Sequence, residues 1–230
     1  DHADLVLVYG GEERGDLAEC GCPQRPRGGL PRQQSYLDAL RATEQPVLFL
    51  NGGYWLEDAR SLDGSARADV PVTNRWMIRG METLGPSALN IAYNDMAGIS
   101  SVDELDFDLP LVSANIRSPD IVPWIVEEVN GIRVGITGIT TPGMAIFEHP
   151  GFEVSDPVTS ARTLAGLSIE ELPFVTALGD VTHQQRTGVD ARTTALELDL
   201  ELCGRRIKVR RQIEAQLEID QVLSVAPEAD

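Results

Sequence analysis

LVLVYGGEERG, residues 5–15, holds the pattern that decides the fold. A short apolar run that ends in glycines and charged residues is typical of a buried strand that opens into a polar loop. The same pattern returns in PVLFLNGGYW (46–55) and ALNIAYNDMAG (88–98). Helical periodicity fills the intervals, which predicts βαβ units and a parallel α/β sheet. The predicted strands are 5–9, 46–50 and 88–92.

Two helices are predicted between these strands. The first covers 30–42, with Pro31 in its first turn, and the second begins at a Thr73 cap and ends at Gly85. The apolar residues that carry the helical period are Leu30, Tyr36, Leu37 and Leu40 in the first helix and Trp76, Met77, Met81 and Leu84 in the second.

Further elements follow the third strand. Ser101 and Glu104 form a capping-box pattern that predicts a short helix. LPLVSANI (109–116) has the composition of a strand. The turn-rich stretch 148–157 is expected to be a loop over the sheet edge.

Hairpins replace the crossovers in the second half of the chain. Asn130-Gly131 separates two apolar runs and is a strong type I′ turn signal, because both central residues of that turn need a positive φ. Alternating apolar residues over 196–202 and 207–219 predict two long antiparallel strands with one buried face. We therefore expect a single domain, 1–230, with a βαβ half (1–120) and a hairpin-rich half (121–230).

The charge balance restricts the possible partners. The chain has 36 acidic and 19 basic residues, a formal net charge of −17, which repels nucleic-acid phosphates and anionic membrane surfaces. No run approaches the ~20 apolar residues of a membrane helix. These features favour a soluble exported protein that binds neither nucleic acid nor membranes.

Several motifs resemble one known family. GGLPR (28–32), LVSANI (111–116) and NGIRVGITGITTPG (130–143) occur in the order found in the 5′-nucleotidases, a family of calcineurin-like metallophosphoesterases, and in related sulfur-oxidation hydrolases. The resemblance implies an α/β fold, a mixed β-sheet sandwich flanked by helices. The family carries two histidine-bearing strand ends where this chain passes directly from 164 to 174, so the second half is expected to be shortened.

A second motif resembles a narrower branch. ECGCPQRPRGGL (19–30) is similar to exported bacterial members that have Cys-Gly-Cys before the GGL element. This resemblance implies a periplasmic or extracellular location and another exported protein as partner.

The family's metal motifs are altered in this chain. The resemblance implies that D-x-H-G, D-x-G-D and G-N-H-E would hold two metal ions at the three strand ends. The aligned residues here are Glu12 and Arg14, then Asn51 and Tyr54, then Tyr93, Asn94 and Asp95, and His183 is the one histidine with a route to the site. The resemblance therefore implies a catalytically degenerate protein without metal or cofactor, acting as a binding or structural subunit.

Two alternatives concern the same strand ends. Glu12, Asn51, Asp95 and His183 could form a rebuilt phosphoesterase site. The carboxylates after the first strand could hold a cation together with Asp95, or simply face solvent; they are Glu12, Glu13, Asp16 and Glu19. Arg14 could pair with Glu12 or Asp95, or, with Arg32 as a second candidate, bind a phosphate.

A third alternative is thiol chemistry. Cys20 and Cys22 could cycle as a strained disulfide, with Arg25 and Arg27 lowering a thiol pKa. A static disulfide or two reduced thiols are the other interpretations of the same pair. Cys203 stands far away in the sequence.

Overall fold

The computed structural model describes residues 5–19, 28–58, 65–102, 107–140, 151–168, 174–179, 195–202 and 205–212. In chain order the elements are β1 (Leu5–Gly10), α1 (Leu30–Arg41), β2 (Val47–Asn51), α2 (Val70–Leu84), β3 (Ala88–Asn90), α3 (Tyr93–Ser100), β4 (Leu111–Val112), β5 (Ile116–Arg117), β6 (Ile125–Val129), β7 (Ile132–Ile139), β8 (Glu153–Val154), α4 (Pro157–Ser168), β9 (Phe174–Gly179), β10 (Ala195–Leu202) and β11 (Arg205–Gln212). The predicted α/β fold is confirmed.

The larger sheet has the order β10-β11-β1-β2-β3-β4. Strands β1 to β4 run parallel, as does β11 beside β1, while β10 is antiparallel to β11. Consecutive crossovers are expected to place successive strands side by side, and they do so here. The prediction that the first three strands are adjacent and parallel is confirmed.

A second sheet lies against the first. It consists of β6, β7 and β9, with β6 antiparallel and β9 parallel to β7. Asn130 and Gly131 join β6 to β7 with φ angles of 51° and 73°, which confirms the predicted hairpin turn. The short strands β5 and β8 pair separately.

Two apolar clusters cover the two faces of the larger sheet. One contains the inward residues of α1 and α2 together with Val6, Val8 and Phe49. The other contains Leu5 and Leu7 of β1 and the buried residues of β7. The alternation of side chains along β1 thus supplies both the helix-facing layer and the layer between the sheets.

The helices follow the predicted pattern with one displaced boundary. Pro31 lies in the first turn of α1, and Gly85 ends α2 in the left-handed conformation at φ 62°. Helix α2 begins at Val70, with a proline in its first turn, so the prediction that Thr73 caps it is wrong. Proline at 71 is compatible with a helix start because the first helical N–H groups have no intrahelical partner.

Two other predictions need correction. Ser101 ends α3, where its N–H donates to Ala97, so it does not begin a helix; Glu104 lies outside the described residues. The expected strand 109–116 is split into β4 and β5, because Ser113 and Asn115 turn the chain between them with hydrogen bonds of their own. The last strand is described to Gln212, and the predicted continuation to 219 lies beyond the described residues.

Candidate functional site

The loops after β1 and β2 run side by side at the carboxyl edge of the larger sheet. The N–H of Glu12 donates to the Gly53 carbonyl at 2.9 Å, and the N–H of Arg14 donates to the Tyr54 carbonyl at 2.8 Å. The N–H of Tyr54 donates in turn to Asp95 Oδ2 at 2.8 Å, which ties in the start of α3. The three strand ends therefore form one group, the strand-end cluster, whose members are Glu12, Glu13, Arg14, Asn51, Tyr54 and Asp95.

Three non-glycine residues of this cluster have left-handed backbones. Their φ angles are 67° for Glu12, 48° for Arg14 and 57° for Tyr54. Each such residue costs of order 1 kcal/mol, and the conformation persists only where surrounding bonds fix it. Gly53 between the loops has a separate constraint, because a Cβ there would lie 2.8 Å from the Ala92 Cβ.

Glu13 lies at the centre of the cluster. The family resemblance aligned its neighbours Glu12 and Arg14 with the metal-motif positions, and not Glu13 itself. Its carboxylate is buried and accepts hydrogen bonds from Asn51 Nδ2 on both oxygens, at 3.0 and 3.1 Å. Gln33 of α1 donates a further bond to Oε1 at 3.0 Å. Asn51 is itself fully buried, and its Oδ1 accepts the N–H of Gly53 at 2.9 Å. This carboxylate is thus held by side-chain amides.

Asp95 is held by backbone amides. It is fully buried, and it accepts N–H bonds from Leu56 at 2.9 Å on Oδ1 and from Tyr54 and Ala92 at 2.8 and 2.9 Å on Oδ2. Burial raises the pKa of Asp95 to about 7, while the three N–H bonds oppose that shift and the charge of Glu13 adds to it. The carboxylate joins the loop after β2 to the first turn of α3.

Arg14 takes Glu12 as its partner. Its Nε and Nη2 each lie 3.0 Å from Glu12 Oε2, and its guanidinium carbon lies 5.2 Å from the centre of the Tyr54 ring. The Arg14 side chain is 51% exposed. The guanidinium is therefore at the mouth of the cluster, paired with a carboxylate and stacked on an aromatic ring.

The remaining candidate residues lie around this group or outside the described residues. Tyr93 and Asn94 occupy the first turn of α3 and are partly exposed. Arg32 pairs with Glu19 at 3.7 Å on the surface. In the described ranges no three His, Cys, Asp or Glu side chains converge closely enough to hold a metal ion. Four candidates lie outside those ranges: Cys20, Cys22, Cys203 and His183.

Two buried asparagines connect this edge to the second sheet, and sequence reasoning gave neither of them a role. Asn90 Nδ2 donates to the carbonyls of Gly52 at 3.0 Å and Ile139 at 3.2 Å. Asn115 exchanges two bonds with the Thr140 backbone, accepting from its N–H at 2.9 Å and donating to its carbonyl at 2.7 Å. The available signal was an asparagine inside or directly after each apolar run, at 90 and at 115.

Solved structures provide the relevant comparisons for this geometry, because the sequence matches no protein-family model and no curated protein. The NAD nucleotidase of Haemophilus influenzae is similar over 75% of this chain, with 14% identity and a TM-score of 0.60. A 5′-nucleotidase precursor from Thermus thermophilus is similar over 75%, with 22% identity and a TM-score of 0.55. The chain has the metallophosphoesterase fold of the 5′-nucleotidases. The sulfate thiohydrolase SoxB of Thermus thermophilus shares it over 78% of the chain, with 13% identity and a TM-score of 0.61.

The alignments cover most of this chain but less than half of each of these proteins. This chain spans 33% of the nucleotidase from Haemophilus influenzae, 36% of the 5′-nucleotidase precursor and 44% of the thiohydrolase. At identities of 13–22% these similarities show the fold alone. The chemistry of the site has to be inferred from its own residues.

Within the described part of the chain, no helix is both long enough and apolar enough to span a bilayer.

Proposed function

We propose that this chain is a catalytically degenerate relative of the 5′-nucleotidases that acts as a binding or structural subunit for another exported protein. The observation that carries the proposal is the bond pair from Asn51 Nδ2 to both oxygens of Glu13. At this place the family resemblance implies an aspartate that would help to hold metal. The chain instead has an amide whose hydrogens point at a neighbouring carboxylate.

A two-metal centre needs carboxylate, imidazole and amide oxygen or nitrogen atoms directed at the ions. Asn51 directs its NH₂ to Glu13 and accepts the Gly53 N–H on Oδ1, so only one lone pair of the amide oxygen is left for a cation. Glu13 would have to exchange three N–H bonds for a metal, counting the one from Gln33. The central pair does not fit a metal ligand set.

Asp95 supports the same conclusion by a different route. A carboxylate offers about four lone-pair positions, and three of them are taken by the N–H groups of Tyr54, Leu56 and Ala92. Asp95 thus links the ends of the second and third strands through its hydrogen bonds.

Arg14 completes the argument. A guanidinium stays charged at any accessible pH, and it stands where the resemblance implies a metal-binding histidine. Its charge repels a divalent cation, and its pairing with Glu12 engages the Oε2 of that carboxylate. The side chains of the strand-end cluster therefore bond to one another and do not form a binding site for two metal ions.

We infer a binding role because the chain keeps the phosphoesterase fold while the residues at the metal-motif positions bond to one another. The Cys-Gly-Cys resemblance is what supports export and an exported partner. A rebuilt phosphoesterase site around Glu12, Asn51, Asp95 and His183 and a thiol couple at Cys20 and Cys22 are the competing functions, and activity measurements separate them from a binding role.

The test is phosphate release from AMP by the purified chain, with Mn²⁺ or Zn²⁺ added. The proposal predicts turnover indistinguishable from that of the Asp95→Ala variant. Metal-dependent release that Asp95→Ala abolishes would support the rebuilt site and overturn the proposal. Asp120→Ala, at an exposed position outside the strand-end cluster, is a control for the general loss of a carboxylate.

A further inference from the structure

Helix α2 presents an outward face unlike that of its neighbour. Val72 is 59% exposed and Trp76, one turn later, is 55% exposed. Arg75 and Arg79 are also exposed, and these four residues follow the spacing i, i+3, i+4, i+7, so they lie along one stripe. We call this stripe the α2 outer face.

Helix α1 provides an internal comparison, because it packs beside α2 and is similarly half-buried. Its exposed residues are Pro31, Arg32, Ser35, Asp38, Ala39 and Arg41. None of them is a large apolar side chain, so α1 has the ordinary solvated face of a surface helix. The exposed tryptophan and valine of α2 are not needed to cover the sheet, since Met77, Ile78 and Met81 do that.

The charge of the α2 outer face is opposite to that of the whole chain. It carries two arginines in a protein whose formal net charge is −17. Within the described part of the chain neither Arg75 nor Arg79 has an ion pair. Arg79 instead lies over the Trp76 ring, 5.4 Å from its centre, which holds the indole beside a cation.

We propose that the α2 outer face binds an acidic segment of a partner protein, with an apolar side chain of that segment on Trp76 and Val72 and its carboxylates on Arg75 and Arg79. Tryptophan and arginine are the residue types that most often dominate binding energy at interfaces. This inference names the partner chemistry for the binding role proposed above, although it uses a surface distant in sequence from the strand-end cluster.

A second copy of this chain fits the face less well. A two-fold symmetric contact would set Arg75 and Arg79 against the same arginines of the other copy, which is unfavourable. A head-to-tail contact with acidic surface elsewhere would leave the face open at one end and build filaments rather than a closed assembly. The charge pattern therefore favours a different, acidic protein.

The test uses two fluorescein-labelled peptides of 14 residues with identical apolar positions, one with glutamate and the other with lysine at the polar positions. Fluorescence anisotropy at low salt is expected to show binding of the glutamate peptide and not of the lysine peptide. The paired change Arg75→Glu with Arg79→Glu is expected to weaken binding by about tenfold or more, and Trp76→Ala by about tenfold. Arg117→Glu paired with Arg162→Glu, and Trp124→Ala, make the same changes at exposed positions elsewhere and are expected to stay within about twofold of the wild type.

Three results would overturn the inference: no binding of the glutamate peptide, equal weakening by the control variants, or a self-association that Arg75→Glu with Arg79→Glu abolishes. Peptide binding requires neither metal nor catalysis, so nucleotide hydrolysis by the wild type would refute the degenerate role while leaving this surface intact. Conversely, loss of the peptide interaction leaves the hydrolysis result unchanged. Thermal unfolding of each variant confirms that the exposed changes leave the fold intact.

Discussion

Replacement of Asn51 by aspartate reverses the contact on which the proposed function rests. Asn51→Asp keeps the size of the side chain and the Oδ1 that accepts the Gly53 N–H, but it turns the donor facing Glu13 into a carboxylate oxygen. The two oxygen groups would then lie at the present donor distances of 3.0 and 3.1 Å. At an effective dielectric constant of about 20, two like charges about 3 Å apart repel by roughly 5 kcal/mol. The lost charge-assisted hydrogen bond adds about 2 kcal/mol.

A shared proton limits this cost, because two adjacent carboxyl groups titrate as a pair with one raised pKa. We expect Asn51→Asp to lower the free energy of unfolding by about 3–5 kcal/mol near pH 8, and by clearly less near pH 5, where the pair holds a proton. Urea unfolding at both pH values measures the difference from the wild type. Asn94→Asp makes the same chemical change in the first turn of α3, where a negative charge is tolerated, and should stay within about 0.5 kcal/mol.

The reasoning would be refuted if Asn51→Asp unfolded within about 1 kcal/mol of the wild type near pH 8. It would also be refuted if Mn²⁺ or Zn²⁺ restored the stability of that variant above that of the wild type, since the cluster would then be an available metal site.

Three further predictions concern a buried acid, a buried glycine and the thiols. Asp95 has a folded-state pKa of about 7 against a usual value of 3.8, so its contribution to stability is complete below about pH 4 and is lost as the pH rises through 7. The urea midpoint should therefore decline between pH 5 and pH 8, and Asp95→Asn should reduce that decline. Gly138→Ala would place a Cβ 2.5 Å from the Val112 carbonyl oxygen and against the Asn90 side chain, and should cost about 2–3 kcal/mol or more by thermal unfolding, whereas Gly131→Ala in the open hairpin turn should cost about 1 kcal/mol. Cys20 and Cys22 should be a static pair that mild reductant and alkylation below about pH 8.5 leave unchanged; a reversible couple lost on mutating either cysteine would favour the redox alternative.

Local patterns in the sequence were sufficient for the strand ends and for the hairpin. The apolar runs before Glu12, Asn51 and Tyr93 each stop at glycine or at a polar residue, and parallel crossovers bring such strand ends together without further information. Asn130-Gly131 specifies its own turn because both residues tolerate a positive φ. These features depend on short-range rules, which a single sequence contains.

The bonding partners within the site depend on contacts between residues far apart in the chain. Gln33 looks like a surface residue of α1, yet the tertiary packing turns it toward Glu13, 20 positions earlier in the sequence. Helix α3 was not predicted because its eight residues contain too few apolar positions to establish a helical period. Glu13 lay between two aligned positions, and its central place depends on its contacts with Gln33 and Asn51, which are distant in the sequence.

The start of α2 shows a misread local signal. Thr73 has a good capping side chain, but Pro71 lies two residues earlier and marks the first turn more strongly. In the same helix Trp76 carries the apolar pattern and is nevertheless exposed, because Met77 and Ile78 take the buried positions. An exposed tryptophan is the kind of departure from pattern that indicates a binding surface.

The most direct test of the central claim is the metal content of the purified chain after equilibration with Mn²⁺, Zn²⁺, Fe²⁺ or Ca²⁺ and removal of the unbound ions. Elemental analysis should give less than about one equivalent of any of them, because Asn51, Arg14 and the donors around Asp95 leave no set of ligands for a pair of ions. Two bound equivalents that the Asp95→Ala variant fails to retain would contradict the account.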